Sequence, residues 1–184
     1  MEFPIDSEIH PYFATYIKHL PKRDPLQLLK ETQAYGEYIL SKVPADQYAY
    51  AYGPDKWTIK GLLLHIIDTE QIMAYRALRF ARNDFSSALS FDQDAYALNA
   101  KAENVEWSHL REHFRLIRAT SLQQFSVYDK EQEARGGSEV FPNSVRAIIS
   151  IIAGHQLHHM YVLQSHYLEE TPVLLDAFLA RPTE

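Results

Sequence analysis

The 184-residue chain contains no cysteine, which excludes disulfides, thiolate metal ligands and a protein thiol nucleophile together. Glycine is scarce, only 6 residues, and alternating apolar–polar runs are missing, so the signature of a sheet is absent. No apolar run approaches the roughly 18 residues that a membrane span needs. The opening MEFPIDSEIH has neither a basic n-region nor an apolar h-region, so no secretory signal and a cytoplasmic location are expected. Positive charge is also short: 18 Lys and Arg against 24 Asp and Glu give a net charge of −6. That is the wrong sign for neutralising phosphates, and neither nucleic acid nor membrane is expected as a partner. The Arg76, Arg79 and Arg82 cluster reads as one helix flank in solvent. There is no glycine-rich phosphate loop, Ser–His–Asp order or nucleophile elbow.

What remains is a composition of 46% hydrophobic and 23% charged residues, that of an ordinary globular protein, with length for one domain over 1–184. Helical periodicity dominates it. A short helix over 9–19 is stopped by Pro21. A first long helix over 25–43 starts on Pro25 and is ended by Pro44. Thr58 is a suitable cap for a second long helix over 58–82, and a third covers 106–128. A turn at Gly136-Gly137-Ser138 precedes a fourth over 144–167, with Ser144 as its cap. Short helices are expected at 92–100 and 173–179. The sum is an all-α fold, a four-helix bundle with short extra helices. The long 83–104 connection can cross a whole helix of roughly 37 Å. Such a crossover between helices two and three sets helices two and four antiparallel and side by side, with His65 and the 155/159 pair at similar depth.

Nine histidines are the chemically informative residues. In AIISIIAGHQLHHMYVLQSHY, at 100° per residue, Ile148, Ile151, Ile152, His155, His159 and Val162 share one face. One turn apart, His155 and His159 can converge on one cation. His158 lies close enough that 155/158 is the alternative pair, though the centre of the apolar stripe favours 155/159. On the second helix, His65 shares a face with Thr58, Gly61, Leu62, Thr69 and Ile72, and Gly61 would let a neighbour approach closely. Spacing alone leaves these imidazoles equally readable as a packed, hydrogen-bonded core. Asp68, one turn from His65, is a candidate helper, either orienting a ligand imidazole or acting as a general base. His109 and His113 read as an exposed flank, and His10, His19 and His166 carry no clear signal.

Two stretches, YGPDKWTIKGLLLHIIDTEQIMAYRALRFARND and VRAIISIIAGHQLHHMYVLQSHYL, resemble the DinB family, the DinB/YfiT-like metalloenzymes. YFATYIKHLPKRDPLQLL near the start and SFDQDAY in the long connection extend the likeness over nearly the whole chain. Its specific element is GHxxHH placed far downstream of W[ST]xxxxxxH. The resemblance implies a four-helix bundle with a divalent metal on three histidines, the positions falling on His65, His155 and His159, with His158 an adjacent non-ligand. Zinc, nickel, iron and manganese all accept such a donor set. It further implies a metal-dependent enzyme acting on a small molecule: a hydrolase, or an S-transferase or isomerase using a low-molecular-weight thiol such as bacillithiol, mycothiol or glutathione supplied in trans. Homodimers are common in the family. The alternative is a non-enzymatic metal-binding or stress-response bundle.

Overall fold

A computed structural model describes residues 1–86, 90–136 and 142–181; Gly137 and Ser138 of the expected turn lie outside them. Short helices are α1 (Ala14–Ile17), α4 (Gln93–Asn99), α6 (Lys130–Ala134) and α8 (Leu175–Leu179). The four long ones are α2 (Pro25–Ser41), α3 (Ile59–Ala81), α5 (Trp107–Phe125) and α7 (Val145–Val162), which runs on through a π turn, Leu163–Tyr167. No strand occurs among the described residues, and no helix there is long and apolar enough to cross a membrane.

Helix starts follow the capping residues. Asp24 accepts from the Leu26 N–H ahead of α2, whose first residue is Pro25. The Thr58 hydroxyl accepts from Gly61 N–H at α3 and the Ser144 hydroxyl from Ala147 N–H at α7. Each satisfies one of the donors that a helix start leaves unpaired. The 92–100 helix forms as α4, one residue shorter at each end, with Asp92 as its cap. The N-terminal 9–19 stretch is 3-10 turn at Pro11–Phe13 and only one α turn in α1. α6 was not expected from periodicity; an Asp129/Gln132 capping box starts it.

Around the bundle, α7 packs against α2 and α3, and α5 closes the other side against the same two. Direction follows from the contacts. Glu70 with Arg118, and Ala74 with Gln124, run in step, so α3 and α5 are parallel. Two parallel neighbours joined in sequence require a connection that returns the full length of the bundle, and 82–106 is that crossover. Tyr167 at the end of α7 donates to the Trp57 carbonyl just before α3, so α3 and α7 are antiparallel.

A polar knot crosses the apolar core. Arg118, 1% exposed, donates to both Glu70 oxygens (2.8 and 2.9 Å), the Leu29 carbonyl (2.6 Å), the Thr32 hydroxyl (3.1 Å) and Gln156 Oε1 (2.5 Å). One guanidinium therefore links all four long helices. Arg76 departs from the solvent flank expected of it. It is buried, while Arg79 pairs with Asp84 at 2.8 Å and Arg82 is exposed.

Candidate metal centre

His65 sits two turns into α3, and antiparallel α7 lays His155 and His159 against it. The Nε2 atoms of His65 and His155 are 3.0 Å apart, and those of His159 and His155 3.1 Å. One nitrogen from each of the three lies within 4.8 Å of the others, and no second cluster of three such ligand residues occurs among the described residues. Of the two candidate pairs, His159 is the one turned to His65. His158 is half-buried with its ring edge-on to Tyr16, 5.3 Å away.

Burial lowers the basicity of all three imidazoles. His65 falls from its ordinary value to about 4. His155 and His159 fall well below theirs, first by burial and then by the neighbouring histidines. All three are neutral at pH 7, the form that ligates metal. A neutral imidazole offers one N–H and one lone pair. The His155 Nε2 faces two other Nε2 atoms at once, and a single proton satisfies only one of those approaches. His159 Nδ1 is buried with no hydrogen-bond partner. Three converging nitrogen lone pairs with too few protons among them fit a shared cation, and the all-nitrogen donor set suits a divalent transition metal.

The surroundings fix the rings. Trp57 covers His65 at 4.4 Å between ring centroids and lies 6.4 Å from His159. Tyr16 stands edge-on to His155 at 5.2 Å. Its segment comes this close because residue 154 is glycine: a Cβ there would lie 2.5 Å from the Tyr16 carbonyl oxygen. Gly61, in contrast, admits no neighbouring helix, since a Cβ there would meet only Thr58 and Trp57 of its own helix start. Asp68 is half-buried and turned toward α5, where the charge of His113 acts on it; burial raises its pKa. No hydrogen bond among the described residues joins Asp68 to the three histidines. His109 is exposed and His113 half-buried, and both stand apart from the cluster.

Beside His65 and His155 opens a cavity of about 520 Å³. α3 supplies Thr69, Met73 and Arg76; α7 supplies Ile151; the N-terminal segment supplies His10, Tyr12, Phe13 and Tyr16; Phe91 and Asp92 close it from the crossover. Sequence periodicity missed most of this wall. Arg76 was recoverable, because 65, 69, 73 and 76 fall on one helical stripe. His10 and Tyr16 lie in a segment without sustained periodicity and left no such trace.

The sequence model described as the DinB superfamily matches residues 28–163. Among solved structures, the chain is similar to YfiT from Bacillus subtilis, described as a probable metal-dependent hydrolase with an unusual four-helix bundle topology. The TM-score is 0.69 at 13% identity, covering 92% of this chain and 95% of that one. At that identity the likeness is one of fold. No curated protein matches the sequence.

Proposed function

The chain belongs to the DinB superfamily, and from that premise we propose that it is a divalent-metal-dependent hydrolase of a small molecule, with His65, His155 and His159 as the metal ligands. The observation that carries this reading is the convergence of three neutral Nε2 atoms on one point at the edge of a cavity. The description of YfiT as a probable metal-dependent hydrolase supports the reaction class. Three protein ligands leave coordination positions open, as catalytic rather than structural sites do.

When bound, the ion supplies Lewis acidity, polarising an oxygen or sulfur atom that approaches it. The chain's own residues do the rest. Trp57 shields the ligand rings on one side from water. Tyr16 and the N-terminal segment wall the other, so a substrate reaches the centre through the cavity. Thr69, one turn from His65, offers a hydroxyl into that space. Its Oγ1 is buried without a partner, whereas Thr32, Thr120 and Ser150 each donate back to the carbonyl four residues earlier.

Elemental analysis of the purified protein gives about one metal ion per chain on this reading, and His155→Ala removes it. Metal far below one per chain in the wild type, or unchanged in the variant, would refute the site. With metal present, turnover of chromogenic esters or amides supports hydrolysis. Turnover only when glutathione or bacillithiol accompanies an electrophile would reassign the same centre to thiol transfer. No turnover in either panel would leave a metal-binding bundle.

A further inference from the structure

Thr69 stands one turn beyond His65 on α3, in the wall of the same cavity. The residue is 5% exposed, and its Oγ1 is buried without a hydrogen-bond partner. Mid-helix hydroxyls commonly return a bond to a carbonyl three or four residues earlier. Thr32 on α2 does so to Leu28 and Leu29, at 2.9 and 3.3 Å. Thr69 makes no such bond to His65 or Ile66. A wall that needed only the shape of this side chain would be served by valine, without the cost of an unpaired hydroxyl.

The rest of the lining is suited to an apolar molecule. Met73 is 3% exposed and Ile151 1%, and Phe13, Tyr16 and Phe91 are half-buried around them. Ser90 and Gln93 are exposed. The charged groups of the lining are engaged within the chain. Asp92 accepts from the Asp94 and Ala95 N–H groups at the start of α4, and Arg76 has partners of its own. Of the buried polar atoms that lack a partner among the described residues, Thr69 Oγ1 alone belongs to this cavity.

We propose that Thr69 reads the substrate: its hydroxyl donates to the carbonyl oxygen of an ester or amide whose apolar body lies against Met73, Ile151 and the N-terminal aromatics. That this carbonyl is the scissile one rests on the metal reading above; the hydrogen bond itself does not. Thr69 lies about 6 Å along α3 from His65 by helix rise, so an acyl group held by the hydroxyl is within reach of the three histidines. A volume of about 520 Å³ suits a ligand of this size. A site that pairs a buried hydroxyl with a ligand oxygen discriminates against the analogue lacking that oxygen, which leaves the hydroxyl unpaired.

The test uses 4-phenylbutan-2-one and butylbenzene, which share one skeleton and differ by a carbonyl in place of a methylene. Both are titrated by calorimetry into wild-type, Thr69→Val and Thr69→Ser protein, each stripped of metal and checked for metal content. Thr69→Val weakens the ketone about five- to tenfold and leaves the hydrocarbon unchanged, while Thr69→Ser keeps the ketone affinity. The infrared carbonyl stretch of the ketone bound to wild type falls below its value in hexane, a readout that does not depend on any variant folding. Ketone affinity indifferent to Thr69→Val overturns the proposal. So does an equal loss for both ligands, no binding of the ketone to wild type, or a carbonyl stretch as in hexane. Wild-type protein that takes up no metal yet binds the ketone through Thr69 defeats the metal reading and leaves this contact standing. Metal uptake and ester turnover, with a ketone indifferent to Thr69→Val, removes the contact and leaves the metal reading.

Discussion

His65 and His155, 90 residues apart in sequence, bring their Nε2 atoms to 3.0 Å across the α3–α7 interface. Neither nitrogen is protonated readily, because burial holds His65 at about 4 and His155 lower than its ordinary value. The pair is therefore costly without a cation and stabilising with one. Chelation of the metal is expected to lower the melting temperature, and adding back a divalent ion to restore it. At a free metal concentration of 100 times Kd the gain is about 2.7 kcal/mol. Calorimetry with and without chelator reads it. A melting temperature unmoved by chelator, in protein shown to have lost its metal, would count against ligation by these residues.

Much of this geometry is legible in the residues. Thr58 and Ser144 announce their helices because capping chemistry is local. The apolar face shared by His155 and His159 is periodic, and the length of the 83–104 connection already favoured the crossover. Long-range pairings are less readable. Glu70 and Arg118 lie 48 apart in sequence, and nothing local distinguishes them from surface charges. Arg76 differs: it continues the stripe of residues 65, 69 and 73, but beside Arg79 and Arg82 it reads as a solvated charge, and the structure buries it. The N-terminal wall was invisible because Gly154, which admits it, sits in the histidine motif and draws attention to His155 instead.

The pH dependence of the metal-free protein follows from the same burial. His65 has a folded pKa of about 4 against an ordinary 6.5, so the unfolded chain binds more protons between these values. Stability then rises with pH through that window. The contribution is fully present above about pH 6.5 and is lost as pH falls toward 4, at up to about 1.4 kcal/mol per pH unit for this histidine alone. Urea unfolding of metal-free protein at pH 7.5, 6 and 5 measures it. His65→Phe, which keeps a ring and removes the proton site, should flatten the slope; an unchanged slope would assign the acid sensitivity elsewhere.

Asp68→Asn separates two roles for that carboxylate. It faces His113 rather than the three imidazoles, so metal stoichiometry and affinity are expected to match wild type. A tenfold or greater loss of metal affinity is the usual result when a carboxylate that orients a ligand histidine is removed. Competition against a metal-sensitive dye distinguishes the two outcomes.

Gly154→Ala tests whether the N-terminal segment is seated by that glycine. The added methyl would meet a backbone carbonyl at 2.5 Å and its carbon at 2.8 Å, Tyr16 in both cases. Backbone yields less easily than a side chain, so the segment must lift from α7. Overpacking of this kind costs about 1–3 kcal/mol. Trypsin should cut faster after Lys18, Lys22 and Arg23 in the variant, at a concentration that leaves wild type intact. Equal cleavage rates would show that the segment tolerates the methyl in place.

The Arg118 knot carries the last prediction, because it joins stability to the alignment of the site. Gln156 accepts from Arg118 at 2.5 Å, donates to the Thr32 carbonyl at 2.5 Å, and is the residue next to His155. Glu70, 3% exposed, lies on α3 little more than one turn beyond His65. Glu70→Leu alone strands a guanidinium in the core and should cost about 3–5 kcal/mol; Arg118→Met alone strands a carboxylate at similar cost. The double variant removes both charges and should be less destabilised than the sum of the singles, a coupling that urea midpoints can read. Metal affinity should not recover in parallel. The double variant still lacks the group that holds Gln156, and with it the setting of His155 against His65. Additive stability losses would show the two charges to be independent. Wild-type metal affinity in the double variant would show that α3 and α7 are aligned by their apolar contacts alone.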